Sequence, residues 1–121
     1  MQISTTLKGR TAEERALSYL KKHGLAPLRR NFRSRHGEID LIMLDSDILV
    51  FVEVRSRDNT SMLDPLESID EIKMSKIISC SEYFLQKEKK WSNSYCRFDV
   101  VTISGSQSEE KIEWIKNAFN A

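Results

Sequence analysis

Punctuation is scarce in this chain. Its 121 residues include two prolines and four glycines, too few for a collagen-like or low-complexity protein, so long unbroken elements are expected. Cysteine is equally sparse. Cys80 and Cys96 lack CxxC spacing, which argues against a disulfide framework or a zinc cluster and favours reduced thiols packed in the core. No apolar run approaches the roughly 18 residues of a membrane span. Met1 to Lys8 has neither the basic start and apolar run of a secretory leader nor a cleavage site. A cytoplasmic protein with no membrane partner is therefore expected. Nor is there an excess of one charge: 19 Lys and Arg against 18 Asp and Glu leave a net charge of +1, which argues against bulk electrostatic coating of nucleic acid. What remains is 40% hydrophobic and 31% charged, ordinary for one soluble domain spanning 1–121.

The element signals are clear in places. Thr11, with Glu14 three residues on, forms a capping box, and Gly24 after Lys22 and His23 supplies a stop, so a helix is expected over about 12 to 23. Its apolar stripe runs through Ala16, Leu17 and Leu20. Glu13 stands one turn before that stripe, where a first-turn acid favouring the helix dipole is the plain explanation. After Pro27, LRRNFRSR reads as a strand with Arg29, Asn31, Arg33 and Arg35 on one side and Leu28 and Phe32 on the other. Residues 39–44 and 48–54 then form a hairpin that is apolar on both faces. Ile39, Leu41, Met43, Val50, Val52 and Val54 line one face; Ile42, Leu44, Leu49 and Phe51 line the other, so the sheet is expected to be covered on both sides. Arg57 to Pro65 reads as a loop. A second helix is expected from near Ser68 to Lys87, with Ile69, Ile72, Ile77, Cys80 and Phe84 facing the core. Lys73 borders that face, where a lysine snorkelling at the core edge is an adequate explanation. Ser94 to Ser104 is a further strand, and GSQSEEK a turn. KIEWI and KNAFNA follow as a short strand and a closing helical turn. The expected fold class is α/β, a mixed sheet with a central hairpin and helices on both faces.

One polar break interrupts the hairpin. If the loop around DSD has two or four residues, Asp40 stands opposite Glu53, with Glu38 and Arg55 pointing the same way; a three-residue loop would send the acids to opposite faces. Directly opposed like charges are destabilising, and a bound cation removes the penalty. Mg2+ prefers oxygen ligands and takes one or two carboxylates while keeping several waters. Asp40 and Glu53 fit that role, with the Val54 carbonyl as a further ligand. Such a metal polarises a phosphate oxygen and acidifies a water, and Arg55 can neutralise charge on the phosphate. Arg55 is no general base, because guanidinium does not deprotonate in proteins. A structural charge network is the alternative: Glu38 paired with Arg55, and Asp40 accepting from Arg33 or Arg35. Arg29, Arg30, Arg33, Arg35 and His36 fall close together, a candidate footprint on a phosphate backbone or simply a solvated edge.

The pairing of GEIDLI with FVEVR resembles the PD-(D/E)xK nuclease superfamily, the restriction-endonuclease-like fold, in which an Asp on one strand and an ExK triplet on the next form the active site. Over nearly the whole chain, GRTAEERALSYLKKHGL, RNFRSRHGEIDLI, LVFVEVRSR and RFDVV look like the YraN-like family of uncharacterised bacterial proteins, predicted endonucleases distantly similar to archaeal Holliday junction resolvases. The resemblance implies a restriction-endonuclease-like domain that hydrolyses phosphodiester bonds of nucleic acid, DNA and branched DNA foremost, with Mg2+ or Mn2+. It makes Glu13 the acid on the first helix, Asp40 and Glu53 the metal ligands, Arg55 the occupant of the lysine position and Lys73 a family-typical lysine. Arg29, Arg33 and Arg35 would track the nucleic-acid backbone. Arginine at position 55 departs from the superfamily triplet, which keeps a second reading open: a catalytically inactive nucleic-acid-binding or scaffold module with the nuclease fold. A homodimer suits a resolvase-like protein, although no heptad or self-complementary face marks one in the sequence.

Overall fold

The computed structural model describes residues 4–57, 69–105 and 109–121, with side chains from Ala12 onward except at Arg57. The chain order is α1 (Ser4–Lys22), β1 (Ala26–Ser34), β2 (Gly37–Asp45), β3 (Ile48–Arg57), α2 (Glu71–Lys87), a 3-10 turn (Lys89–Trp91), β4 (Cys96–Ser104) and β5 (Lys111–Phe119). Most of the expected loop over 57–65, together with Ser68 and residues 106–108 of the expected turn, lies outside the described residues. Among the described residues no helix is long and apolar enough to cross a membrane.

All five strands form one mixed sheet in the order β1-β2-β3-β4-β5. Each neighbouring pair is antiparallel except β3 and β4, which run parallel and are joined through α2. Parallel neighbours need such a crossover, because a tight turn cannot reverse the chain twice. The two faces carry separate cores. Ala12, Ala16 and Leu20 of α1 pack with Leu41, Met43, Val50, Val52, Val101 and Ile103. On the other face Ile77, Cys80 and Phe84 of α2 pack with Phe32, Ile42, Leu49, Phe51 and Phe98. Burial on both sides explains why β2, β3 and β4 read as nearly continuous apolar runs.

The hairpin has the even-parity turn. Asp45 pairs with Ile48 across Ser46 and Asp47, and Leu44–Leu49 and Ile42–Phe51 follow in register. Ser46 takes a φ of 56°, the left-handed geometry that two-residue hairpin turns require.

Several expectations needed correction. Helix α1 begins at Ser4, so Thr11 lies inside it. A capping box marks where a helix can begin; Gly9 upstream costs only about 1 kcal/mol and does not stop propagation. The C-terminal stop does fall at Gly24, with a φ of 95° and the Leu25 N–H donating to the Leu20 carbonyl, the wrap that ends helices on a left-handed residue. Helix α2 starts after Asp70, whose carboxylate accepts the Lys73 N–H at 2.8 Å. Ile69 is buried just ahead of the helix, whereas Ile72 is 68% exposed. Five residues before Ile77, Ile72 lies about 140° around the helix from the core stripe.

In β1, a bulge between Pro27 and Arg29 shifts the register, and Asn31 has a φ of 50°. Strict alternation therefore fails there and on the facing strand, where Ile39 joins Ile42 on the α2 side. Cys80 is buried and free, but Cys96, at the first position of β4, is free and exposed rather than packed in the core. The last segment is a strand throughout, not a strand and a helical turn. A second bulge near Phe98, with Asn117 at a φ of 53°, carries β5 on to Phe119. Asp99 accounts for it: fully buried, it accepts the Asn117 N–H and the Trp114 Nε1–H at 2.9 Å each, and the Arg97 Nε–H at 3.0 Å.

Candidate functional site

The site forms where the β2–β3 ladder stops. Its last backbone pair is Leu41 with Val52, whereas β3 continues its parallel pairing with β4 to Arg57 and Ser104. Asp40 is the next residue on β2. Its Oδ2 accepts the Val54 N–H at 2.8 Å, so a carboxylate takes a backbone amide where regular pairing has ended. Glu53, next on β3 and 5% exposed, faces the α2 side beside Phe51. Its Oε2 lies 3.3 Å from Arg55 Nη1 and 3.6 Å from Lys73 Nζ.

Lys73 arrives there because Asp70 fixes the first turn of α2 over the sheet. Glu13 comes from α1 on the opposite face and feels the charges of Asp40 and Glu38. Glu13, Asp40, Glu53, Arg55 and Lys73 therefore belong to one electrostatic neighbourhood, assembled from two strands and two helices.

That neighbourhood disfavours ionisation of Asp40 and Glu13. Burial pushes the Asp40 carboxyl from its usual 3.8 up to about 7. The Glu53 charge is the next cause; the Val54 amide opposes it, while sharing a proton with Glu53 and the charge of Glu38 add to it. Burial, then Asp40, raises Glu13 above the ordinary carboxylate range, with a hydrogen bond from Asn31 pulling the other way. The raising causes prevail at both groups, as expected for acids crowded in a partly dry site.

The charge network anticipated for the alternative reading takes a different form. Arg33 pairs with Glu38 at 3.2 Å, Arg55 with Glu53, and Asp40 with a backbone amide. The arginines of the basic segment also separate. Arg29 lies over the rings of Phe32 and Phe84, 5.7 Å from each centroid, and pairs with Glu88 at 3.4 Å. Arg33 is held outward by Glu38, and Arg35 sits in the β1–β2 turn beside a cavity.

Asn31 and Asp70 were not singled out by sequence reasoning. Asn is enriched in left-handed geometry, and Asp is among the strongest N-caps, so both signals were present but generic.

Among the described residues no three His, Cys, Asp or Glu side chains form a ready metal cage. A hard cation that keeps most of its waters does not need one. The donor chemistry fits it: two carboxylate side chains side by side, one of them disfavoured as an anion by burial and by the other's charge.

Fold and site together define a mixed α/β protein with a five-stranded sheet, a helix on each face, and an acid pair, Glu53 buried and Asp40 half-buried, flanked by arginine and lysine. The chain belongs to the family described as Uncharacterised protein family UPF0102, whose pattern matches residues 12–103 and so spans all five candidate residues. It is similar to a UPF0102 protein of Pseudomonas aeruginosa strain LESB58, with 51% identity over 116 residues covering 94% of this chain and 93% of the relative. A UPF0102 protein of Pseudomonas fluorescens strain Pf-5 is 47% identical over 122 residues, covering 100% and 99%.

Proposed function

We propose that this protein is a metal-dependent nuclease of the PD-(D/E)xK, restriction-endonuclease-like kind, hydrolysing phosphodiester bonds of nucleic acid, with branched DNA as the first substrate to test. The observation that carries this reading is the placement of Asp40 and Glu53 side by side at the end of the β2–β3 ladder, with Lys73 and Arg55 on Glu53. Asp40 and Glu53 would hold Mg2+ or Mn2+, which supplies Lewis-acid polarisation of the phosphate and a more acidic water. Arg55 keeps its charge at all working pH values and can balance the charge building on phosphate. Lys73 adds a second cation, its Nζ 3.6 Å from Glu53 Oε2. Glu13 adds a third acid beside Asp40, suited to holding a water in place.

The test is cleavage. Purified protein with Mn2+ is offered branched, nicked, single-stranded and duplex DNA, and RNA. The reading expects product from at least one of these, lost in Asp40→Ala. Absence of any Asp40-dependent product defeats it. In that outcome the better account is a nucleic-acid-binding or scaffold module that keeps the fold, an account favoured by one observation: Arg55 and Lys73 both settle on Glu53 Oε2 and balance its charge.

A further inference from the structure

The β1–β2 turn and α2 border an open polar cavity of about 600 Å³ that the proposed chemistry does not use. From the turn come Ser34, Arg35 and His36; from the helix come Ser79, Glu82, Tyr83 and Gln86. The turn is set firmly against the helix. Ser34 Oγ accepts the His36 N–H at 3.0 Å, and a Cβ on Gly37 would stand 3.3 Å from that of Lys76.

Ile72, Lys76, Ser79, Tyr83 and Gln86 recur at steps of four and three residues, which places them on a single stripe of α2. Ile72 and Tyr83 on that stripe are 68% and 40% exposed. The stripe starts next to Lys73, and Ser79 lies roughly 9 Å further along the helix axis. It thus runs from the candidate site into the cavity.

The lining specifies a ligand with a phosphate and a flat polar ring. Arg35 and His36 offer positive charge or hydrogen-bond donors, and Lys87 Nζ sits 5.8 Å from the Tyr83 ring centroid, adding another cation. Tyr83 forms an aromatic wall, backed by Phe32 at 6.0 Å between ring centroids. Glu82 and Gln86, one helical turn apart, bring an acceptor and a donor-acceptor pair suited to the edge of a base. The volume falls in the range of small-molecule sites. In a continuous duplex both faces of each base are stacked and its pairing edge is occupied, so the Tyr83 ring and the Glu82 and Gln86 edge partners can be used only by a nucleotide that is unpaired or turned out of the stack.

We infer that this cavity receives an unpaired nucleotide of the bound nucleic acid, which makes the substrate class one with a single-stranded tail, gap or branch point rather than continuous duplex. The term substrate rests on the nuclease reading; the binding does not.

Fluorescence anisotropy in EDTA separates the two. The probes are a blunt DNA duplex and the same duplex with a single-stranded tail, of DNA or of RNA. Wild-type protein is expected to bind a tailed probe several-fold more tightly. Tyr83→Ala should weaken tailed binding on the order of five- to tenfold while leaving blunt binding unchanged. Tyr83→Phe should keep the preference, and Arg35→Gln should reduce both tailed affinity and its salt slope, the latter by about one. Equal wild-type affinity for tailed and blunt probes overturns the inference, as does a Tyr83→Ala variant that melts like wild type and weakens both probes alike. Arg35→Gln alters an exposed turn residue, so it stays informative if Tyr83→Ala lowers stability. A tail preference in protein that cleaves nothing supports the cavity and defeats the nuclease; cleavage without tail preference does the reverse.

Discussion

Asp40→Asn should make this protein more stable at pH 8, although it alters the centre of the candidate site. In the folded chain the Asp40 carboxyl is held at about 7 against an ordinary 3.8. Between about pH 4 and pH 7 the folded state therefore binds a proton that the unfolded chain has released. Stability falls as pH rises through that window, and the full penalty persists above it. At ~1.4 kcal/mol for each tenfold change in proton affinity, the difference comes to roughly 4 kcal/mol as a ceiling. Asparagine is isosteric, carries no charge, and can still accept the Val54 N–H through its own oxygen. A realised gain of about 1–4 kcal/mol corresponds to a melting temperature higher by roughly 5–15 °C for a domain of this size. The assay is thermal unfolding of both proteins in EDTA at pH 8 and pH 4, followed by circular dichroism. Near pH 4 the two should melt within a few degrees of each other. Adding Mn2+ at pH 8 should raise the wild-type transition and leave Asp40→Asn nearly unmoved. If Asp40→Asn melts at or below wild type at pH 8, then Asp40 is not an anion kept in an unfavourable place, and the electrostatic case for a cation there is lost.

Other substitutions probe the frame. Asp99→Ala leaves the Arg97 Nε–H and the Trp114 and Asn117 N–H groups without their acceptor, while Arg97 Nη1 keeps Asp45 at 2.8 Å, so a loss of about 2–4 kcal/mol is expected in urea unfolding; a loss under about 1 kcal/mol refutes the network. Phe84→Ala opens the core between Phe32 and Phe51, whose ring centroids lie 5.1 and 6.0 Å away. It should cost about 3–5 kcal/mol, again read from the urea midpoint. Asp70→Ala removes the cap that fixes Lys73. A stability loss of about 1 kcal/mol is expected, with a fall in any Mn2+-dependent cleavage larger than that loss explains; unchanged cleavage would separate Lys73 from the chemistry.

The acid pair was legible on one condition. Apolar runs flank DSD on both sides and the polar positions fall at one end of one face, but the loop parity stayed open until the Asp45–Ile48 pair fixed a two-residue turn. Where local irregularity intervened, alternation misled. Arg29 was grouped with Arg33 and Arg35, yet the Pro27–Arg29 bulge and the aromatic surface of α2 hold it over Phe32 and Phe84. Ile39 changed faces for a related reason: its partner on β1 is Phe32, next to the left-handed Asn31. Ile72 follows Ile69 at a helical spacing, but Ile69 lies ahead of the helix, so the stripe is set by Ile77, Cys80 and Phe84, from which Ile72 stands about 140° away. Asp99 was invisible as an anchor. Nothing in RFDVV signals that its partners lie at Trp114 and Asn117, on a strand whose second half has the composition of a helix end. Glu13 and Lys73 were marked only by the family resemblance, since their convergence depends on tertiary packing from opposite faces of the sheet.

The plain succession β1-β2-β3-β4-β5 has a consequence for assembly in time. Antiparallel neighbours joined by short turns have low contact order and form early, whereas the parallel β3–β4 contact must wait for a long loop to close. As the chain leaves the ribosome, Asp40 and Glu53 can meet as soon as the β2–β3 hairpin closes, before Lys73 has emerged. The nascent hairpin would thus present two acids without the lysine that later shields one of them. A divalent cation captured at that stage would act as a folding template, favouring correct register before α2 settles over the finished sheet.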